Sequence, residues 1–184
     1  QQVSNLLPAA ADCLAPAGAR GERVRFFQGE PQSMRFVSSY SLEESHRGYP
    51  RILEFQVIPG ANFEGVRLIV NEHLYTGPAS TGRFCLGRVP DPLAGAAVLR
   101  FAPIEASPRS FVLADRLAAC RFLYRETVPP PLLERWTPVW VKADWPSAIR
   151  VEMEPLERDD AKLPLITATL PVRAAKNPMF EYVD

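Results

Sequence analysis

The sequence predicts an α+β domain in which an N-terminal α-helix packs on antiparallel β-sheets. Three observations lead there. Residues 1–15, QQVSNLLPAAADCLA, place Val3, Leu6, Leu7, Ala10 and Leu14 at helical spacing around an alanine run of high helix propensity. Downstream, apolar and polar residues alternate with a period of two in one segment after another, the mark of half-buried strands. Nineteen prolines against ten glycines, scattered along the chain, interrupt any long helix and favour short strands joined by loops.

In chain order, the N-terminal helix has to accommodate Pro8, as a kink or in its first turn, and is ended by Pro16, Gly18 and Gly21. Val24–Phe27 and Ser33–Tyr40 read as a hairpin across Gly29–Gln32, and the second arm sets Met34 and Phe36 against Arg35 and Val37. Arg51–Ile58 and Val66–Val70 form a second hairpin around Pro59-Gly60. Tyr75–Gly95, rich in Gly, Pro, Ser and Thr, reads as an irregular excursion with a short strand near Phe84. Ala97–Ala102, Phe111–Leu113 and Ala119–Glu126 are further strands, the last closed by three consecutive prolines. All three tryptophans, Trp136, Trp140 and Trp145, precede the clearest alternation, Ile149, Val151 and Met153 against Arg150, Glu152 and Glu154, and Leu163–Val172 is the final strand. Residues 1–19 are thus a helix and linker, and residues 20–184 one β-rich domain.

A composition of 47% hydrophobic and 23% charged residues is that of a globular chain. Twenty-one basic residues balance twenty-one acidic ones, so no net field draws the chain to nucleic acid. The chain opens Gln-Gln and contains no apolar run of membrane-spanning length, as a trimmed product would. Cys13, Cys85 and Cys120 have no metal-ligand spacing, and burial as small apolar residues is the default for each. If the compartment is oxidising, Cys85 with Cys120 is the pair to test, since both flank expected strands.

Little in the chain carries chemistry. His46 and His73 are the two histidines, and neither adjoins a nucleophile elbow or an oxyanion loop. Glu43, Glu44 and His46 fall in a polar loop, where a solvated charge run is the ordinary state. Glu157, Asp159 and Asp160 lack the ligand offsets and the glycine of a calcium loop. No catalytic, cofactor or metal residue is therefore assigned. The tryptophans offer either a stacking platform for a ligand or core volume, and Val139 and Val141 among them favour the core.

Phe27-Gln28-Gly29, the strand Met34-Arg35-Phe36-Val37-Ser38, the run Leu117 to Tyr124, Trp136 with Trp140, and Trp145-Pro146-Ser147-Ala148-Ile149 follow one another in an order that resembles the minor pseudopilin J family of the bacterial type II secretion system. Trp145 and Ile149 stand where leucine and valine are usual in that family. The resemblance implies a pseudopilin-like fold and a non-enzymatic structural subunit of the pseudopilus tip. It implies hetero-oligomers with I- and K-type minor pseudopilins, and the periplasmic domain of an inner-membrane protein anchored by a helix upstream of this chain. Val3, Leu6, Leu7 and Leu14 become candidate interface residues, with packing on the chain's own sheet as the alternative. The competing function is a periplasmic or extracellular β-domain that binds a ligand through its aromatic surface.

Overall fold

The computed structural model describes residues 5–13, 21–42, 47–91, 96–157 and 165–172. Of these, 62% lie in strands and 6% are helical. In chain order the strands are β1 (Leu6–Leu7), β2 (Ala10–Cys13), β3 (Glu22–Arg25), β4 (Gln28–Gly29), β5 (Ser33–Tyr40), β6 (Arg47–Pro59), β7 (Val66–Leu74), β8 (Cys85–Asp91), β9 (Ala96–Phe101), β10 (Phe111–Thr127), β11 (Glu134–Thr137), β12 (Ala148–Pro155) and β13 (Ile166–Pro171). A single-turn helix, α1 (Pro78–Gly82), precedes β8. The main sheet runs β1-β5-β6-β7-β10-β12-β13, with β4 beside β5 and β11 beside β10, while β2-β3 and β8-β9 are separate ribbons.

The expected α+β fold with an N-terminal helix packed on the sheets is overturned. Leu6 and Leu7 pair with Ser38 and Val37 of β5, and Ala10–Cys13 pair with Glu22–Arg25. Pro8 between them has no N–H for a helix ladder, and burial alternates from Ala10 to Cys13 with Ala11 and Cys13 inward. Non-local strand partners outweigh the helix propensity of the alanine run. Val3 and Leu14 lie outside the described residues. The first expected hairpin also divides: β3 pairs with β2, and only β4, beyond Phe26 and Phe27, pairs with β5.

The two strands expected near Phe111 and Ala119 are one strand, β10. Its first half pairs with β7 and its second with β12, with register shifts on either side of Leu117. Arg116 there takes a left-handed φ of 55°, so the strand bends without ending. The bend carries Phe122 and Tyr124 over the side of the sheet that presents Phe36, Leu53, Phe55 and Val70, and all share one core. Burying each such side chain contributes roughly 1.5–3 kcal/mol.

The curled sheet closes on itself at β4. Trp140 donates its N–H to the Gly29 carbonyl (2.8 Å), Phe122 donates to the Pro31 carbonyl (2.8 Å), and the Tyr124 hydroxyl donates to the Glu30 carbonyl (2.9 Å). A Cβ on Gly29 would stand 2.9 Å from the Trp140 Cβ and 2.9 Å from the Tyr124 ring. Only glycine allows this approach.

The opposite side of β5 and β6 carries a second core, built from Val37 and Ile52 with Ala11, Cys13, Val24, Phe26, Phe84 and Cys85. The ribbons β2-β3 and β8-β9 and helix α1 form this cover. Thr81 of α1 donates to the Ala10 carbonyl (2.8 Å), and a disulfide joins Cys13 to Cys85.

Candidate functional site

The covered side of the sheet holds the most extensive buried polar network among the described residues. Cross-strand registers set Gln28 beside Arg35, Arg35 beside Glu54, and Glu54 beside Asn71, so one polar row crosses β4, β5, β6 and β7. Arg35 is fully buried, and Glu54 and Gln28 are nearly so. Arg35 Nε donates to Glu54 Oε1 (2.7 Å), its Nη1 donates to Gln28 Oε1 (2.6 Å), and its Nη2 donates to the Ala102 carbonyl (3.1 Å). Asn71 donates to Glu54 Oε2 (3.2 Å) and to the Glu105 carbonyl (2.9 Å), and it accepts from Ser110 Oγ (2.6 Å). His73 Nε2 lies 2.9 Å from Glu54 Oε2.

Burial pushes the Glu54 carboxyl up, but the hydrogen bonds from His73, Asn71 and Arg35, with the Arg35 charge, hold it below the usual carboxylate range. Burial lowers the Arg35 pKa, opposed by Glu54. An arginine stays protonated at neutral pH even so, so the two groups form an ion pair. The Arg35 guanidinium also sits 4.8 Å from the Phe84 ring centroid, in cation–π range. Chemically the row is a satisfied structural network. Its free valences go to carbonyls at Ala102 and Glu105, so it anchors the chain that follows β9 onto the sheet.

Beside it, a groove of about 790 Å³ lies between β3, β9 and the loop 139–144, with Phe27, Leu99, Phe101 and Trp140 among its walls. Three of its cations are paired, Arg23 with Asp12 (2.8 Å), Arg88 with Glu22 (2.9 Å) and Lys142 with Glu126, and Arg25, Glu30 and Asp144 also line it. The groove thus presents charges of both signs rather than a field of one sign.

The tryptophans separate into three environments. Trp140 is buried in the first core and donates Nε1–H to the Asp144 carbonyl (2.7 Å). Trp145 meets Phe27 edge-on with centroids 5.7 Å apart. Trp136, half-buried on β11, lies under the Arg150 guanidinium, 3.9 Å from its ring centroid. They do not make one platform.

The expected pairing of Cys85 with Cys120 is corrected: Cys85 bonds Cys13, and Cys120 is free and buried. Cys120 sits in the first core, on the far side of the sheet from the ribbons, and burial pushes its thiol up to about 11. The proposed helical interface stripe does not form either. Leu6 is fully buried in the first core, and Leu7 packs half-buried against the second. Glu43, Glu44, His46, Asp159 and Asp160 lie outside the described residues, while Glu157 pairs with Arg116. Among the described residues there is no cluster of three or more metal-ligating side chains, and no helix is long and apolar enough to cross a membrane.

Sequence reasoning missed the polar row. Arg35 and Glu54 occupy the polar phase of alternating strands and read there as solvent-facing, because the cover comes from segments outside the hairpin they share, with Ala9, Ala11, Val24 and Phe26 before β5 and Phe84, Cys85 and Phe101 after β7. No family model matches the chain, and no curated protein matches it.

Proposed function

We propose that the chain is a non-enzymatic assembly subunit: the periplasmic body of a minor pseudopilin of J type, joining I- and K-type partners at the tip of a type II secretion pseudopilus. One observation supports this reading above the rest. Eight of the residues that carry the resemblance, scattered from Phe27 to Ile149, meet in a single core: Phe27, Met34, Phe36, Leu117, Phe122, Tyr124, Trp140 and Ile149. Gly29, the glycine of the Phe-x-Gly turn, is the point where Tyr124 and Trp140 of the later motifs approach the first. The motifs are parts of one packing solution, which is what the reading requires of them.

The reading carries no helix packed on the sheet. Its anchor is a helix encoded upstream of Gln1, and its contacts are made by the surface of the β-body. The disulfide fits the oxidising periplasm that the reading requires. The ligand-binding alternative loses its shared tryptophan platform: Trp140 is buried, Trp145 packs on Phe27, and Trp136 is stacked under Arg150.

The test is reconstitution. The domain is mixed with the soluble domains of I- and K-type minor pseudopilins from the same genome and followed by size-exclusion chromatography with light scattering. Co-elution as a hetero-oligomer is the expected result. Separate elution, together with an upstream sequence encoding a fully cleaved signal peptide, overturns the reading.

A further inference from the structure

The two ends of the main sheet are finished differently. At one end β1 is only two residues long, and Trp140 bridges to Gly29 of β4. At the other end β13 runs for six residues, Ile-Thr-Ala-Thr-Leu-Pro, and among the described residues it pairs with β12 alone. Monomeric β-proteins blunt such an edge with charges, bulges or extreme shortness. Up to Pro171, β13 has none of these: it carries no charged side chain, and its register with β12 is unbroken from Ile166 to Pro171.

The direction of its main-chain groups follows from the ladder. Val172 donates its N–H to the Ser147 carbonyl (3.1 Å), on the same register that sets Ile149 opposite Leu170 and Val151 opposite Ala168. Antiparallel pairing alternates, so Ile166, Ala168 and Leu170 turn N–H and C=O toward β12, while Thr167 and Thr169 turn theirs outward. Pro171 is also in the outward phase, the one phase in which its missing N–H leaves the β12 ladder intact.

This outward edge is chemically palindromic about Ala168. We propose that β13 pairs antiparallel with β13 of a second copy of this chain, across a two-fold axis at Ala168. In that register Thr167 faces the partner's Thr169 and Thr169 faces the partner's Thr167, and the two pairs exchange four main-chain hydrogen bonds. Threonine opposite threonine is a favourable cross-strand pair. On the other face, Ile166 meets Leu170 and alanine meets alanine at the closely spaced, non-hydrogen-bonded position, where a small side chain fits. Ile166 is 45% exposed and so has surface to bury there. A one-residue shift would set the outward groups of one strand against residues whose groups already serve β12, so such slips are excluded, and among the registers two residues apart the Ala168 axis is the one that sets threonine against threonine twice. The contact is isologous, so it closes at two copies.

The pairing stands independently of the pseudopilin reading. It is tested by sedimentation equilibrium on the chain, with three variants. The wild type is expected to show a concentration-dependent monomer–dimer equilibrium. Ala168→Cys should trap a covalent dimer under mild oxidation, because the paired Cα atoms would be about 4.5 Å apart, within disulfide reach. Thr167→Cys should not, since its counterpart lies a diagonal away. Thr169→Pro removes two of the four hydrogen bonds and should weaken the dimer about thirtyfold. Circular dichroism checks that this variant is folded, and the cysteine pair decides the matter if it is not. A wild type that stays monomeric at every concentration overturns the proposal. So does a dimer that Ala168→Cys fails to trap or that Thr167→Cys traps equally well.

Discussion

The two faces of the main sheet are held by different physics. On one, Phe36, Leu53, Phe55 and Val70 meet Phe122, Tyr124 and Ile149 in an apolar core closed by the curl of the sheet itself. On the other, the cover consists of separate ribbons clipped to each other by a disulfide, and a polar row on the sheet, centred on a buried ion pair, donates hydrogen bonds to the Ala102 and Glu105 carbonyls beyond β9. The difference follows from connectivity. Strands continuous with the sheet arrive already oriented, and non-directional burial is enough to seat them. Short ribbons could slide on an apolar surface, and directional contacts give them one position. A buried pair of this kind adds little net stability, because desolvation consumes most of the attraction.

That contrast can be broken at its most directional point. Arg35→Met leaves Glu54 buried without its cation and is expected to cost about 3–5 kcal/mol in chemical denaturation. Adding Glu54→Leu should recover part of that, giving a coupling of roughly 2 kcal/mol in a double-mutant cycle. Additive losses would mean that the two residues act only as volume. The cycle also has a pH signature. The folded pKa of Glu54 is depressed, so its contribution is complete above the unfolded value of about 4.3 and is lost as pH falls through the lower folded value. The acid limb of the stability curve should therefore flatten in the double variant.

Removing the clamp with Cys13→Ser and Cys85→Ser should cost about 4 kcal/mol, from a bridge spanning 72 positions. Amide exchange should then accelerate in β2, β3, β8 and β9 before β5, β6 and β10. Uniform acceleration would show that the faces do not open separately. The smallest of these effects tests the apolar face: Gly29→Ala sets a methyl against Trp140 and Tyr124 and should cost roughly 1–3 kcal/mol by thermal unfolding, with the cover unaffected.

The apolar face was readable from the sequence because each of its strands reports its own burial through a period of two. Ser33–Tyr40 matches β5 at both ends, and Ile149, Val151 and Met153 lie in β12 as expected. What failed were features decided by distant neighbours. Ala10–Cys13 looked helical because alanine spacing is compatible with either period, and its partner strand begins nine residues beyond Cys13. Asp115 and Arg116 looked like a break in β10, whereas a bulge absorbs them. Cys85 offered no means of choosing between Cys13 and Cys120, since bridging depends on which side of the sheet each occupies. The row from Gln28 to Asn71 was invisible for a related reason: no single strand contains more than one of its residues.

The bond from Cys13 to Cys85 has a mechanical side. If load enters the chain at its N-terminal end, as it does for any domain tethered there, tension reaching Cys13 passes directly into β8. Residues 14–84, which include β3 to β7, are bypassed, and about 250 Å of extensible chain is removed from the path of the force. Pulled in an optical trap, the oxidised domain should lengthen by that much less than the reduced one. Until the thiols are freed, load would reach the bypassed strands only sideways, chiefly through the two-residue pairing of β1 with β5.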